Sequence, residues 1–250
     1  MRPEPTGWVG PDWPDLPQVR ALMSTRRSGG EGIDYDLAAG AAAFMVHEQA
    51  LASALGAQPR WLRQVHGATV VRLDERPAAE RPEADASVTA RPGVACVVRV
   101  ADCLPVLLAH ERGQAVGAAH AGWRGLAAGV LEHTLQALCR EAGCAPSALR
   151  AWLGPCIGPR AFEVGEDVLL AFGRDPAVTD DDRFRRADRA DGSRRWRADL
   201  PALARDRLGT AGVGRVDGGH WCTVEDASAF FSFRRDRSAG RMAAAIVRVG

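Results

Sequence analysis

The stretch VACVVRVADCLPVLLAHERGQAVGAAHAGWRG, residues 94–125, decides the fold class of this chain. Val94–Val100 and Pro105–Ala109 are short runs dominated by valine and leucine, the composition of buried strands. Glu111-Arg112-Gly113 reads as a hairpin turn, and Gln114–Ala119 as the returning strand. Gly122–Gly125 then opens an amphipathic helix predicted to run to about Cys139. Two metal-ligating residue types stand at the ends of these apolar runs: Cys103, beside Asp102, and His120, just past the returning strand. Upstream, Val65–Leu73 has strand character interrupted by Gly67, which puts His66 at a strand edge or bend.

His66, Cys103 and His120 together offer two imidazoles and one thiolate. Catalytic zinc is held by three protein ligands with the fourth position open, whereas structural zinc usually takes four. Asp102 adds a carboxylate able to accept an imidazole N–H or to carry a proton. The spacings match no compact zinc-finger formula, so the convergence of the trio rests on the predicted strand ends. Cys96, Cys139, Cys144, Cys156, His110 and His133 are read as structural, because no ligand or nucleophile partner is apparent near them.

Elsewhere the pattern predicts strands at Val19–Ser24, Leu149–Leu153 and Met242–Val249, with helices at Leu37–Leu55, Val164–Phe172 and Ala198–Leu208. Residues 74–93, with their prolines and charges, read as a loop. Residues 174–197 hold most of the local charge and read as a solvated loop. Strands and helices mix without a βαβ rhythm, which favours α+β or a layered mixed sheet over a doubly wound fold. Residues 1–23 are expected to form an irregular entry and 24–250 a single domain.

The chain has 250 residues, 46% apolar and 25% charged, with a formal net charge of +1. That balance gives no global reason to expect nucleic acid or a membrane surface as partner. No stretch approaches the roughly 18–20 apolar residues needed to span a bilayer, and Met1-Arg2-Pro3-Glu4-Pro5 lacks the layout of a signal peptide. The expectation is a cytoplasmic protein whose six cysteines are reduced thiols. All 32 basic residues are arginine. Lysine chemistry is thereby excluded: no Schiff base, no lysine general base, no P-loop lysine.

Several motifs occur in order: Gln64-Val65-His66-Gly67, Ala101-Asp102-Cys103-Leu104-Pro105, His120-Ala121-Gly122-Trp123-Arg124-Gly125, Leu153-Gly154-Pro155, Phe162-Glu163-Val164-Gly165, Phe230-Phe231-Ser232-Phe233-Arg234-Arg235-Asp236 and Gly240-Arg241-Met242-Ala243. From about Ser24 to the C-terminus the chain closely resembles the laccase-domain family, also called multicopper polyphenol oxidase-like or peptidoglycan-editing factor proteins. The resemblance implies a single-domain layered α/β/β/α fold, with His66, Cys103 and His120 at the metal-binding and catalytic positions. It also implies phosphorolysis of adenosine, inosine and methylthioadenosine to base and ribose 1-phosphate, with deamination of adenosine. Family members commonly carry Ser-Leu-Asn-Leu-Gly followed by an Asn-Arg pair; here the region reads Asp34-Tyr35-Asp36-Leu37-Ala38-Ala39-Gly40 and Val46-His47-Glu48-Gln49. Specificity is expected to be altered there.

Four readings of the chemistry compete. In the first, zinc on the trio activates water or a substrate atom at the open position. Arg26, Arg63 and Arg124 are then candidates to hold phosphate, with Gln64 at the substrate; Arg124 adjoins the predicted helix N-terminus, itself an anion site. In the second, copper takes the soft His and Cys donors for oxidase chemistry, although no His-x-His pair is present. The third is a cysteine hydrolase acting on a peptidoglycan precursor, with Cys103 as nucleophile, His66 or His120 as base and Asp102 as orienting acid. A non-enzymatic binding module is the fourth.

Overall fold

The computed structural model describes residues 7–28, 41–77, 79–237 and 240–249. Residues 34–40, the first part of the altered segment, lie outside them. Strands β1 (Trp8–Val9), β2 (Val19–Ser24), β3 (Gln58–Arg60), β6 (Val94–Val100) and β14 (Met242–Arg248) form a five-stranded sheet in the order β1-β2-β14-β6-β3. Strands β4 (Val70–Arg72), β5 (Ala86–Thr89), β7 (Leu104–His110), β8 (Val116–Ala121), β9 (Leu149–Leu153) and β13 (Arg215–Gly218) form a six-stranded sheet in the order β13-β9-β7-β8-β5-β4. A small third sheet joins β10 (Glu163–Val164), β12 (Trp196–Ala198) and β11 (Phe184–Arg186).

Period-two alternation explains how the two large sheets stack. On β6, Cys96, Val98 and Val100 face the six-stranded sheet, where they meet Leu107 and Ala109 of β7 and Val116 and Ala118 of β8. The intervening Ala95 and Val97 face the other way, against Leu51 and Leu55 of helix α1 (Ala41–Leu55). On β7, Leu104, Val106 and Leu108 point outward onto Val130, Leu131, Leu135 and Leu138 of helix α3 (Val130–Ala142). The layers are therefore α, β, β, α, as the resemblance implies. Both sheets are covered on both faces, which is why β6, β7 and β8 are nearly continuous in apolar residues.

Three expectations are corrected. The helix predicted from Gly122 to Cys139 is two helices, α2 (Trp123–Ala127) and α3, because Gly129 takes φ +90°, which a continuous helix cannot contain. Residues 74–93 contain β5, fully buried between β8 and β4; Ala86, Ser87 and Thr89 are too small and polar to announce a core strand. Residues 174–197 contain β11 and part of β12, anchored by buried Phe184 and Trp196 under a charged surface. The boundary drawn between residues 23 and 24 falls inside β2, which pairs antiparallel with β14. No helix among the described residues is long and apolar enough to cross a membrane.

Candidate metal centre and its cleft

Strand register turns distant residues into neighbours. Antiparallel pairing of β7 with β8 sets Leu104 opposite Ala121 and Pro105 opposite His120. Cys103, one residue before β7, thereby falls beside Gly122, one residue after β8. A Cβ on Gly122 would lie 2.9 Å from Cys103 Sγ and 3.3 Å from the His66 ring, so only glycine leaves room for both donors. His120 lies within β8 rather than past it. Pairing of β5 with β8 sets Ala86 opposite Ala119, and the His120 N–H donates to the Asp85 carbonyl at 2.7 Å.

Asp85 is the residue that sequence reasoning missed. It is wholly buried, and its carboxylate collects four donors. The backbone N–H groups of Val65, His66 and Gly67 donate to it at 3.2, 2.9 and 2.7 Å. Its Oδ1 lies 2.8 Å from His120 Nδ1. One carboxylate thus holds the loop that carries His66 and orients the ring of His120. With Nδ1–H directed to Asp85, Nε2 is the lone-pair nitrogen turned toward the trio, the usual arrangement of a histidine that ligates metal. His66 itself has φ +63°, a left-handed conformation maintained by these bonds.

The ligating atoms of His66, Cys103 and His120 all lie within 4.8 Å of one another, a spread that small side-chain rotations can close around zinc–ligand bonds of about 2.0–2.3 Å. The two imidazole rings stand edge to face with centroids 4.8 Å apart. His120 is buried, Cys103 half-buried and His66 exposed, so the set opens to solvent on one side. Electrostatics favour the ligating form of the sulfur. Burial pushes the Cys103 thiol up, but His120 and His66 beside it outweigh this and bring its pKa to about 6. Burial pulls His120 down, while Cys103 and Asp85 drive it up to about 9. Burial raises the Asp85 carboxyl, yet its bonds from His120, Gly67 and Val65 hold it below the usual carboxylate range. In the absence of metal the pair is a thiolate beside an imidazolium.

The trio lies in a cleft of about 580 Å³. Arg124 lines it, stacked 4.3 Å over the Trp123 ring. Three further arginines line it that the sequence did not single out: Arg99, Arg234 and Arg241, together with the aromatic walls Phe162 and Phe233. Arg99 was visible as the lone charge in an apolar strand. Gln64 borders the cleft, but its amide pins the backbone of Arg99, with both bonds at 2.9 Å. Asp102 also borders it, at φ +86°, with its carboxylate accepting from Thr223 Oγ1 at 2.6 Å and Arg234 N–H at 2.7 Å. That carboxylate fastens the Phe233–Asp236 helix to the cleft. Arg26 and Arg63 are not among the cleft residues; Arg26 stacks on Phe231 and faces Asp236, and Arg63 pairs with Glu83. Helix α2 has five residues, so the long helix expected behind Arg124 is absent.

The family model described as multi-copper polyphenol oxidoreductase laccase matches residues 35–249. The chain belongs to this laccase family. A Pseudomonas aeruginosa protein named purine nucleoside phosphorylase is 44% identical over 246 residues, covering 96% of this chain and 97% of the relative. The Escherichia coli purine nucleoside phosphorylase YfiH is 42% identical, covering 95% and 97%. The crystal structure of Neisseria meningitidis protein NMB0706 superposes with a TM-score of 0.86 at 39% identity, covering 98% of this chain and all of that one. YlmD from Geobacillus stearothermophilus gives 0.84 at 27% identity, covering 100% and 98%. The α+β single-domain architecture of this laccase-family member is thus that of its solved relatives.

Proposed function

We propose that this chain is a metal-dependent purine nucleoside phosphorylase, converting adenosine, inosine or methylthioadenosine and phosphate to free base and the ribose or methylthioribose 1-phosphate. One observation carries the reading: a His-Cys-His donor set opens into an arginine-lined cleft in a chain whose near full-length relatives are named purine nucleoside phosphorylases.

His66, Cys103 and His120 would hold the metal. The fit rests on the donor chemistry and on Asp85, which fixes the His120 tautomer. Bound zinc would supply a Lewis acid that polarises whatever group occupies the open position. In phosphorolysis a phosphate oxygen bonds to ribose C1′, the C1′–N9 bond breaks, and its electron pair leaves with the purine, which takes up one proton. Arg124, with Arg99, Arg234 and Arg241, provides guanidinium groups to hold and align the phosphate. Trp123, Phe162 and Phe233 provide flat faces for the base. Gln64 and Asp102 act on substrate indirectly, by holding Arg99 and the Phe233–Asp236 helix in position. The same open position suits adenosine deamination, in which water adds at purine C6 and ammonia leaves.

The test is release of base from each nucleoside with and without phosphate, alongside metal analysis of protein purified without added metal. Phosphate-dependent release, lost in Cys103→Ala, supports the proposal; full activity of Cys103→Ala on every nucleoside refutes it. Ammonia release in phosphate-free buffer tests the deaminase reading. Zinc and copper both suit two imidazoles and a thiolate, and turnover with the metal present on isolation decides between them.

A second reading has a specific observation behind it. A Cys103 thiol with a pKa near 6 beside His120 also has the form of a hydrolase nucleophile and its base, as would be needed to edit a peptidoglycan precursor. Metal decides here too: zinc added to the protein would abolish a cysteine hydrolase and sustain a metal-dependent phosphorylase.

A further inference from the structure

Downstream of the trio, helix α3 ends in a pair of cysteines. Its last helical residue is Ala142, and Gly143 closes it at φ +62°. The N–H of Cys144 reaches back to the carbonyl of Cys139 at 3.1 Å. This six-to-one bond defines a Schellman cap, in which the two residues so linked bring their side chains together, ordinarily as an apolar contact. Here both are cysteines. Burial, together with the neighbouring Cys144, pushes the Cys139 thiol up from its ordinary value. Both are half-buried at the edge of a surface cleft of about 470 Å³ lined by Leu135, Pro146 and Ala211.

The remaining described cysteines are placed differently. Cys96 and Cys156 are fully buried, Cys103 belongs to the trio, and the Cys222 sulfur accepts the N–H of Gly158 at 3.2 Å. Among the described residues, Cys139 and Cys144 are the two cysteines joined by a backbone hydrogen bond that also border the same solvent-open cleft. The cap also holds the two residues five apart with their backbones hydrogen-bonded, in keeping with the short Cα separations of about 4.4–6.8 Å that a disulfide requires.

We propose that Cys139 and Cys144 form a dithiol modification site, which closes to a disulfide by exchange with small-molecule disulfides of the glutathione class. The Cys144 thiolate attacks one sulfur of glutathione disulfide, its S–S bond breaks, and one glutathione thiolate leaves and takes up a proton. The Cys139 sulfur then attacks the Cys144 sulfur of the mixed disulfide, giving up its proton to solvent and expelling the second glutathione. The protein pair loses two electrons and two protons, and glutathione disulfide is reduced to two thiols. Cys144 attacks first because burial and its neighbour hold Cys139 protonated, and Cys139 resolves because the cap keeps the two residues side by side.

The chain carries its own reporter, since Arg140 lies between the two cysteines. Trypsin separates them into peptides 125–140 and 141–150. Wild-type protein loaded with zinc, to shield Cys103, is equilibrated with glutathione disulfide, blocked with iodoacetamide and digested without reductant. The expected result is a single linked species joining the two peptides, which splits on reduction. In Cys139→Ser the expected product is a stable glutathione adduct on Cys144. Two separate alkylated peptides from wild type, or a persistent Cys144–glutathione adduct beside a free Cys139, would overturn the proposal.

Discussion

Asp85→Asn is the sharpest test of how the metal centre is built. The substitution keeps the size of the side chain and exchanges one acceptor oxygen for an NH₂ donor. If the new NH₂ takes the place of Oδ2, it confronts the N–H groups of Val65 and Gly67; if it takes the place of Oδ1, it confronts those of His66 and His120 Nδ1. Either way two donors lose their acceptor; of the four, the His120 ring N–H is the fully buried one. An unsatisfied buried polar group costs about 1–3 kcal/mol and one that water reaches costs less, so the expected loss of stability is about 1–4 kcal/mol. Freed from the carboxylate, His120 also loses the bond that keeps its Nε2 turned to the trio. Loss of such a partner typically weakens metal binding about 10–100-fold.

Two measurements check this: the urea midpoint of the metal-free protein, and zinc affinity by competition with a chromophoric chelator. The pH dependence has a definite sign. Because the folded Asp85 carboxyl is held below the usual carboxylate range, its stabilisation is complete above that range and lost as pH falls beneath it. The wild type should therefore lose its advantage over Asp85→Asn on acidification below about pH 4. A variant with unchanged zinc affinity and an unchanged midpoint at pH 7 would refute the role assigned to Asp85.

Three further outcomes are expected. In metal-stripped protein, iodoacetamide should alkylate Cys103 with a midpoint near pH 6 and cease to do so when zinc is added, while Cys96, pushed up to about 12 by burial, stays unreactive in the folded chain; a Cys103 midpoint above 8 would contradict the thiolate–imidazolium pair. Gly122→Ala places a methyl group 2.9 Å from Cys103 Sγ, so zinc affinity should fall at least about 10-fold with the circular dichroism spectrum unchanged. Arg124→Ala should raise the KM for phosphate about 10-fold and leave that for the nucleoside within about 2-fold, as fits loss of one charge-assisted anion contact worth about 1.5–3 kcal/mol that is partly solvent-screened; an effect confined to the nucleoside would move Arg124 from the phosphate to the base.

Local pattern carries further in some elements than in others. The Val94–Val100 and Leu149–Leu153 strands were legible to the residue because their apolar runs are buried on both faces. The β5 strand was not, since Ala86–Thr89 is just as buried but composed of small and hydroxylated side chains. Gly129 broke a helix that amphipathic spacing alone would have continued. Arg26, Arg63 and Arg124 were all candidates for phosphate, with Arg124 favoured by its place beside His120 and a helix N-terminus, and of the three Arg124 alone lines the cleft. Arg234 and Arg241 were quoted within motifs without a role, because no spacing rule relates residues so distant to Cys103.

By itself, the sequence determined that the chain holds strand-forming runs in an α+β order and three isolated ligand residues at their ends. Hydrophobic periodicity is a local property, and a histidine or cysteine that interrupts it is conspicuous wherever it falls. The tertiary structure decided that the three residues meet. Pairing of β7 with β8 brings Cys103 and His120 together, and pairing of β5 with β8 brings in Asp85, which binds the loop of His66. Asp85 shows the difference most clearly: in a proline-rich, charged stretch it reads as one more solvated carboxylate. Its importance arises from being buried with four donors around it, and burial is a consequence of strand register between segments some 35 residues apart.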